Sequence, residues 1–424
     1  MAHLLPSAII TGKYRRILVY SHDAYGLGNI SRMLAICKYL LKCIPNLSIL
    51  LVSGSPMLHS FRLPKGLDYI KLPCLNRGSS GEMTVKFLNA DIESTLKLRS
   101  ELILAAVKNY QPDLVLVDKK PLGIKGELEL TINYVKAYLP ATNFVLLLRD
   151  ILDTPENTIR EWQKENYYQI VESIYDRILV VGMQEVFDLC QQYRFHAELI
   201  SKVRFCGYLR KESGLKNRRA IRQELDMLPE EKLVLVTPGG GEDGYYLIAN
   251  YLQGLAQQRD YFIQNKIRTL IFCGAEMPLD QQQQIHRTAL QCPGVTVLEF
   301  TNDLMSYVNT ADAVISMCGY NTITEVLQKA KKAIVVPRVS PGKEQLIRAQ
   351  SMAKAGWVKM IHPDLLNSSL LMETLIMSLN QTKSYNSTCK IDFAGLPRVT
   401  NYLARLLYNS YCFDQEQELA LKLA

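Results

Sequence analysis

Residues 317–350, MCGYNTITEVLQKAKKAIVVPRVSPGKEQLIRAQ, decide how the chain folds. The apolar run "DAVISMCG" (312–319) leads into them and stops at Gly319. Glycine lacks a Cβ and permits a close turn there. Helical spacing follows at once, and Asn321 or Thr322 can cap it. A second apolar run, "KAIVVPR" (332–338), comes one helix later. The unit predicted is strand, glycine turn, helix, parallel strand. Such a helix N-terminus, with its open N–H groups and dipole, suits a diphosphate. Glu325 has two readings from its position: a capping-box carboxylate near N3, or an acceptor of hydrogen bonds from a ribose diol.

The same grammar extends in both directions. Upstream, "KLVLVTPGGGEDG" (232–244), "RTLIFCGA" (268–275) and "VTVLEF" (295–300) read as strands, and downstream so does "WVKMI" (357–361). The first half repeats the rhythm. Its strands are "RRILVYS" (15–21), "LSILLVSG" (47–54), "YIKLP" (69–73), "PDLVLVD" (112–118), "NFVLLLRD" (143–150) and "DRILVVG" (176–182). Helical segments separate most of them. In "NISRMLAICKYLLKCI" (29–44), Ile30, Leu34, Cys37 and Leu41 share a face, and Asn29 or Ser31 can cap its start. The polar, basic stretch "VRFCGYLRKESGLKNRR" (203–219) reads as a linker. Alternating strand and helix implies an α/β fold with parallel sheets and right-handed crossovers. At 424 residues the chain exceeds one ordinary core. Two Rossmann-like domains are expected, 1–205 and 206–395, facing each other across a cleft, followed by a helix in 396–424. Ligands bind in such sheets beyond the C-terminal strand ends.

Composition is that of a globular protein, 48% hydrophobic and 21% charged. The net charge of +8 favours anionic partners such as nucleotides or phosphates. No DNA-reading motif is present, so nucleic acid is not an expected partner. Ten scattered cysteines form no CxxC pair, which argues against zinc and for core thiols in a reducing compartment. No signal peptide or membrane span is expected, which places the protein in the cytoplasm. Arg15, Arg16, Arg32, Lys38 and Lys42 are candidates for peripheral contact with an anionic membrane.

Two glycine loops carry the chemistry. In "TPGGGEDGYYL" (237–247), Gly239, Gly240 and Gly241 let backbone N–H groups approach an anion, with a helix expected to begin near Gly244; a tight turn is the plainer alternative. In "VYSHDAYGLGNISRML" (19–34), Gly26 and Gly28 precede Asn29. Ser31 replaces the third glycine of a dinucleotide fingerprint, and "LVSGSP" (51–56) ends the second strand without an acid. There is no GxxxxGK[ST] and no HExxH. His22, Asp23, Asp118, Lys119, Lys120, Arg149 and Asp150 all fall at predicted strand ends, where site residues collect.

With these residues in view, the second half resembles the donor-binding segment of MurG-like GT-B glycosyltransferases, those with a family 28 C-terminal domain. The match covers strand, glycine turn, helix with Glu325, "VVP" strand, and the Glu344–Gln345 pair. The first half, through "SHD…GLG…R", "DKKPLGIKGEL" (118–128) and "LLRDILD" (147–153), is similar to predicted glycosyltransferases of the same kind. The resemblance implies a nucleotide-diphosphate-sugar donor. Gly239 to Gly241 and Gly319 to Thr322 would face its pyrophosphate, Glu325 its ribose, and Glu344 and Gln345 its sugar. Arg348 would be a neighbour, or a partner of a carboxylate. Transfer would invert and need neither metal nor cofactor. The acceptor, whether a lipid, a polysaccharide or a small molecule, would meet the first half: Gly26, Gly28, Asn29, Asp118, Lys119, Arg149 and Asp150. The last helix would return to the first domain.

One departure matters. The family places a histidine where this chain has Asn29, whose amide cannot accept the acceptor's proton. Asp23 and His22 are the substitutes, with Asp23 preferred because neighbouring strand-end residues point opposite ways. An epimerase, or a nucleotide-sugar-binding protein without turnover, are the other readings.

Overall fold

The computed structural model describes residues 14–22, 28–77, 82–329, 332–381 and 390–408. In chain order the strands are β1 (Arg15–Ser21), β2 (Leu47–Ser53), β3 (Leu67–Lys71), β4 (Leu75–Arg77), β5 (Met83–Val85), β6 (Leu114–Asp118), β7 (Asn143–Arg149), β8 (Arg177–Val181) and β9 (Val203–Phe205). The second half adds β10 (Lys232–Thr237), β11 (Ile267–Phe272), β12 (Val295–Leu298), β13 (Ala313–Ser316), β14 (Lys332–Val335) and β15 (Lys359–Met360). One seven-stranded parallel sheet runs β3-β2-β1-β6-β7-β8-β9, and one six-stranded parallel sheet runs β12-β11-β10-β13-β14-β15. β4 and β5 form a small antiparallel ribbon that the sequence pattern did not reveal.

The strands read as unbroken apolar runs because helices cover both sheet faces. Along β1, Ile17 and Val19 join one buried cluster while Leu18 and Tyr20 join another on the opposite face. The first of these clusters is shared between the two sheets: it also holds Leu233 and Leu235 of β10. Helix Gly395–Tyr408 packs its Val399, Leu403 and Leu407 into that cluster, against helix Gly28–Cys43 of the first half. Asn143 Nδ2, at the start of β7, donates to Leu406 O at 3.3 Å.

In each sheet the order reverses at its first strand, beside β1 and β6 and beside β10 and β13. These switch points open a crevice at the C-terminal strand ends. The stretch 203–219 is not all linker: Val203–Phe205 is the edge strand β9, paired in parallel with β8, and helix Arg218–Glu224 begins within it. The eight cysteines among the described residues are free thiols, and all but Cys43 are buried. Among the described residues no helix is long and apolar enough to cross a membrane. Of the basic residues near the first loop, Arg16 and Lys42 are exposed, and Arg15 and Lys38 are half-buried. Arg15 pairs with Asp113 at 3.0 Å, Lys42 with Glu212 at 2.5 Å, and Arg32 is buried.

Candidate active site

The second-half wall is built by two glycine turns in contact. Helix Tyr320–Gln328 follows β13 and has Gly319 at its N-cap, without a side-chain capping bond. Asn321 and Thr322 therefore lie inside its first turn and do not cap it, and the N–H groups there remain available to an anion. The 239–241 loop abuts this helix: a Cβ on Gly239 would stand 2.9 Å from Thr322 Oγ1. Gly241, at φ +103°, would drive a Cβ to 2.5 Å from Cys273 O, so that glycine is required by packing. Gly240 differs, since its Cβ would meet only the Glu276 carboxylate. Helix Tyr245–Gln257 begins just after Gly244.

Gln345 supports the turn, its Oε1 accepting from Cys318 N at 3.1 Å. Glu344 accepts from Arg338 Nη2 at 2.8 Å. Burial would raise its pKa, but Arg338 and Arg149 outweigh this and hold it below the usual carboxylate value. Glu325 is the sixth residue of its helix, with no acid in the first turn, which corrects the capping-box reading. It lies 3.5 Å from Lys211 Nζ, and burial pushes its carboxyl upward against that lysine's pull.

The first-half wall meets this one directly. Asn321 Nδ2 donates to Gly28 O at 2.8 Å, joining the donor-side helix to the start of helix Gly28–Cys43. Asn29 lies in the first turn of that helix, and both ends of its amide are used. Nδ2 donates to His22 O at 2.6 Å, and Oδ1 accepts from Arg32 Nη2 at 3.2 Å. Asn29 thus links His22 to Arg32. Asp23 and Gly26 lie outside the described residues. His22 is buried, and Nδ1 has no partner. Burial, then Lys119, Lys120 and Arg149, hold its pKa well below the ordinary value, so the imidazole is neutral.

Two acceptor-side expectations are corrected. Asp118 and Asp150 do not stand open in the cleft; each is 1% exposed and clasped by an arginine. Arg32 Nη2 donates to Asp118 Oδ1 at 2.7 Å. Arg348 donates to Asp150 from Nε at 2.8 Å and from Nη2 at 2.7 Å, while its Nη1 reaches Cys318 O at 2.9 Å. Arg348 belongs to the second half and Asp150 to the first, so this fork ties the domains together across the floor of the crevice. Burial disfavours the charged guanidinium, but Asp150 overcomes it and raises the pKa. Tyr208 O–H donates to Asp150 Oδ2 at 3.2 Å, and the Tyr320 ring lies under the guanidinium groups of both Arg348 and Arg32. Sequence reasoning missed Tyr208, Tyr320 and the role of Arg32. Tyr208 sat inside an apparent linker, and no local spacing marks the others. Lys119, in the left-handed region at φ +70°, and Arg149 are half-buried at the ends of β6 and β7.

Residues 234–394 match the glycosyltransferase family 28 C-terminal domain. An uncharacterised glycosyltransferase of Methanosarcina mazei is 25% identical over 312 residues, covering 71% of this chain and 74% of that protein. The UDP-N-acetylglucosamine–N-acetylmuramyl-(pentapeptide) pyrophosphoryl-undecaprenol N-acetylglucosamine transferase of Clostridium tetani is 24% identical over 199 residues, covering 43% of this chain and 52% of its own length. Among solved structures, MurG of Acinetobacter baumannii aligns with a TM-score of 0.55 at 14% identity, over 94% of this chain and 100% of that one. A UDP-N-acetylglucosamine 2-epimerase aligns at 0.61 and 12% identity, over 95% and 98%. Such low identities speak to fold alone. Fold and matched domain together define a glycosyltransferase of the GT-B class. Within that class the chain is MurG-like, with a family 28 C-terminal domain as its second half.

Proposed function

We propose that the protein transfers a sugar from a nucleoside-diphosphate sugar to an acceptor hydroxyl, with inversion at the sugar carbon and without a bound metal or cofactor. The observation that carries this is the contact of the Gly239–Gly241 loop with the uncapped start of helix Tyr320–Gln328. That corner offers backbone N–H groups and a helix dipole to a diphosphate. The acceptor oxygen attacks the sugar carbon, its proton passes to a base, and the bond to the diphosphate breaks. The charge left on the nucleoside diphosphate is met by those N–H groups. Glu344 and Gln345 face the sugar, and Glu325 exchanges Lys211 for the ribose. The base comes from the first loop. His22 is held neutral among cations, which disfavours its protonation, so Asp23, the next residue, is the first candidate.

The epimerase reading is weaker. Such chemistry uses free carboxylates around the sugar, yet Asp118, Asp150, Glu325 and Glu344 are each ion-paired. The acceptor we propose is lipid-linked or a polysaccharide; a lipid-linked one would bring this cytoplasmic enzyme to a membrane surface. Incubation with a panel of nucleotide sugars, with and without acceptor extracts and with chelator present, tests the reading. Nucleoside diphosphate released only with acceptor supports transfer. An epimerised sugar without acceptor supports the isomerase, and stabilisation without product supports a binding protein. Asp23→Asn is expected to abolish transfer and keep donor binding.

A further inference from the structure

Both backbone polar groups of Cys318 are gripped by one helix, Glu344–Lys354. Gln345 Oε1 accepts from Cys318 N at 3.1 Å, and Arg348 Nη1 donates to Cys318 O at 2.9 Å. Nε and Nη2 of the same guanidinium donate to Asp150 of the first half. Arg348 and Asp150 are both buried, and the Tyr320 ring centroid lies 5.8 Å from the guanidinium carbon. Held on these sides, the guanidinium fixes the direction of Cys318 O. The Cys318–Gly319 bond is trans, and the C=O and N–H of a planar trans peptide point opposite ways. With Cys318 O turned inward onto Arg348, the Gly319 N–H points outward. Gly319 is only half-buried. Its φ of −62° and ψ of 142° suit any residue. Among the described residues beyond its chain neighbours, a Cβ there would meet only Gln345 Nε2, at 4.0 Å. Neither its dihedrals nor those neighbours demand glycine at 319, in contrast to Gly241.

We propose that Arg348 and Asp150 are positioning residues for the donor: together they aim the Gly319 N–H at the diphosphate, so that donor binding in the second half depends on a carboxylate of the first. This rests on the transferase reading and adds to it the residues that shape its diphosphate corner. Both act through the Cys318–Gly319 peptide and not by contact with the donor. Without a fixed guanidinium that peptide could turn, and a turned peptide presents a carbonyl oxygen to an anion where an N–H is needed. Asp150 prevents this. It takes Nε and Nη2 as a fork, which sets the guanidinium plane and leaves Nη1 directed at Cys318 O. An ammonium has no such planar fork, so lysine could pair with Asp150 but would not hold Cys318 O in the same geometry.

The test is calorimetric titration of uridine, guanosine, adenosine and thymidine diphosphates into wild type, and of the best binder into Arg348→Lys, Asp150→Asn, Gly319→Ala and Leu403→Ala. Leu403 is buried on helix Gly395–Tyr408, outside both glycine turns, and its truncation controls for lost stability. Every titration runs well below the lowest melting temperature, so that folded protein is measured. Arg348→Lys keeps a cation for Asp150, which guards against a variant that does not fold. Affinity is expected to fall about tenfold in Arg348→Lys and in Asp150→Asn, the scale of one hydrogen bond to a charged group. It should stay at the wild-type value in Leu403→Ala. Gly319→Ala should keep the wild-type melting temperature and lose affinity to a similar degree. Unchanged affinity in Arg348→Lys or Asp150→Asn overturns the proposal and leaves the fork as a tie between domains only. An equal loss in Leu403→Ala overturns it too, since instability would then explain every loss. So does wild-type affinity in Gly319→Ala, because the diphosphate would not lie against Gly319. If no nucleoside diphosphate binds wild type, the transferase reading fails and the proposal with it; the other adverse outcomes strike the proposal alone.

Discussion

Replacing Arg348 by Met should weaken the whole molecule, because the Asp150–Arg348 fork is buried at 0% on both sides. The substitution keeps an unbranched apolar stem but removes both charge-assisted bonds to Asp150 and the bond to Cys318 O. Asp150 would keep only Tyr208 O–H and the Ile151 N–H, which donates at 2.8 Å. A buried carboxylate stripped of its cation typically costs about 3–5 kcal/mol. Exposed pairs are worth about 0–1 kcal/mol, so the size of the loss distinguishes a buried tie from a surface contact. Urea unfolding followed by fluorescence is a suitable assay. The chain has two tryptophans, and Trp162 and Trp357 are buried in the first and second halves respectively. Asp150→Asn/Arg348→Met should recover part of the loss, with a coupling energy of about 2–3 kcal/mol. A loss below about 1 kcal/mol in Arg348→Met, or additivity in the double variant, would refute the tie.

Two further outcomes are expected. Gly241→Ala should cost about 1–3 kcal/mol of stability, from its positive φ and the clash with Cys273 O; Gly240→Ala should leave the melting temperature in place and weaken nucleotide-sugar binding, and equal effects at both positions would contradict this division. Glu325→Ala should weaken donor binding by about 1–3 kcal/mol, measured calorimetrically, and unchanged affinity would leave Glu325 as a partner of Lys211 only.

The sheets were legible because buried parallel strands are written as continuous apolar runs, and "RRILVYS", "PDLVLVD" and "NFVLLLRD" all appear as strands. The glycine turns were legible for a local reason, a strand stopping where a helix starts. The ties between distant residues were not. Arg32 and Asp118 meet only because β1 and β6 are neighbours, and Asp150 and Arg348 only because two domains face each other. Strand-end position alone therefore put Asp118 and Asp150 in the open cleft, when each is spent on an arginine. The offset of Glu325 was misjudged for a smaller reason: the helix starts at Tyr320, two residues before the cap that Thr322 would have made.

Calorimetric titration with a panel of nucleoside-diphosphate sugars tests the central claim most directly. One donor should bind at one site per chain, more weakly in Glu325→Ala and Gly240→Ala, and with the same affinity in Lys119→Met. If no nucleotide sugar binds, or if the bound one is insensitive to both second-half substitutions, the donor does not lie where the two glycine turns meet.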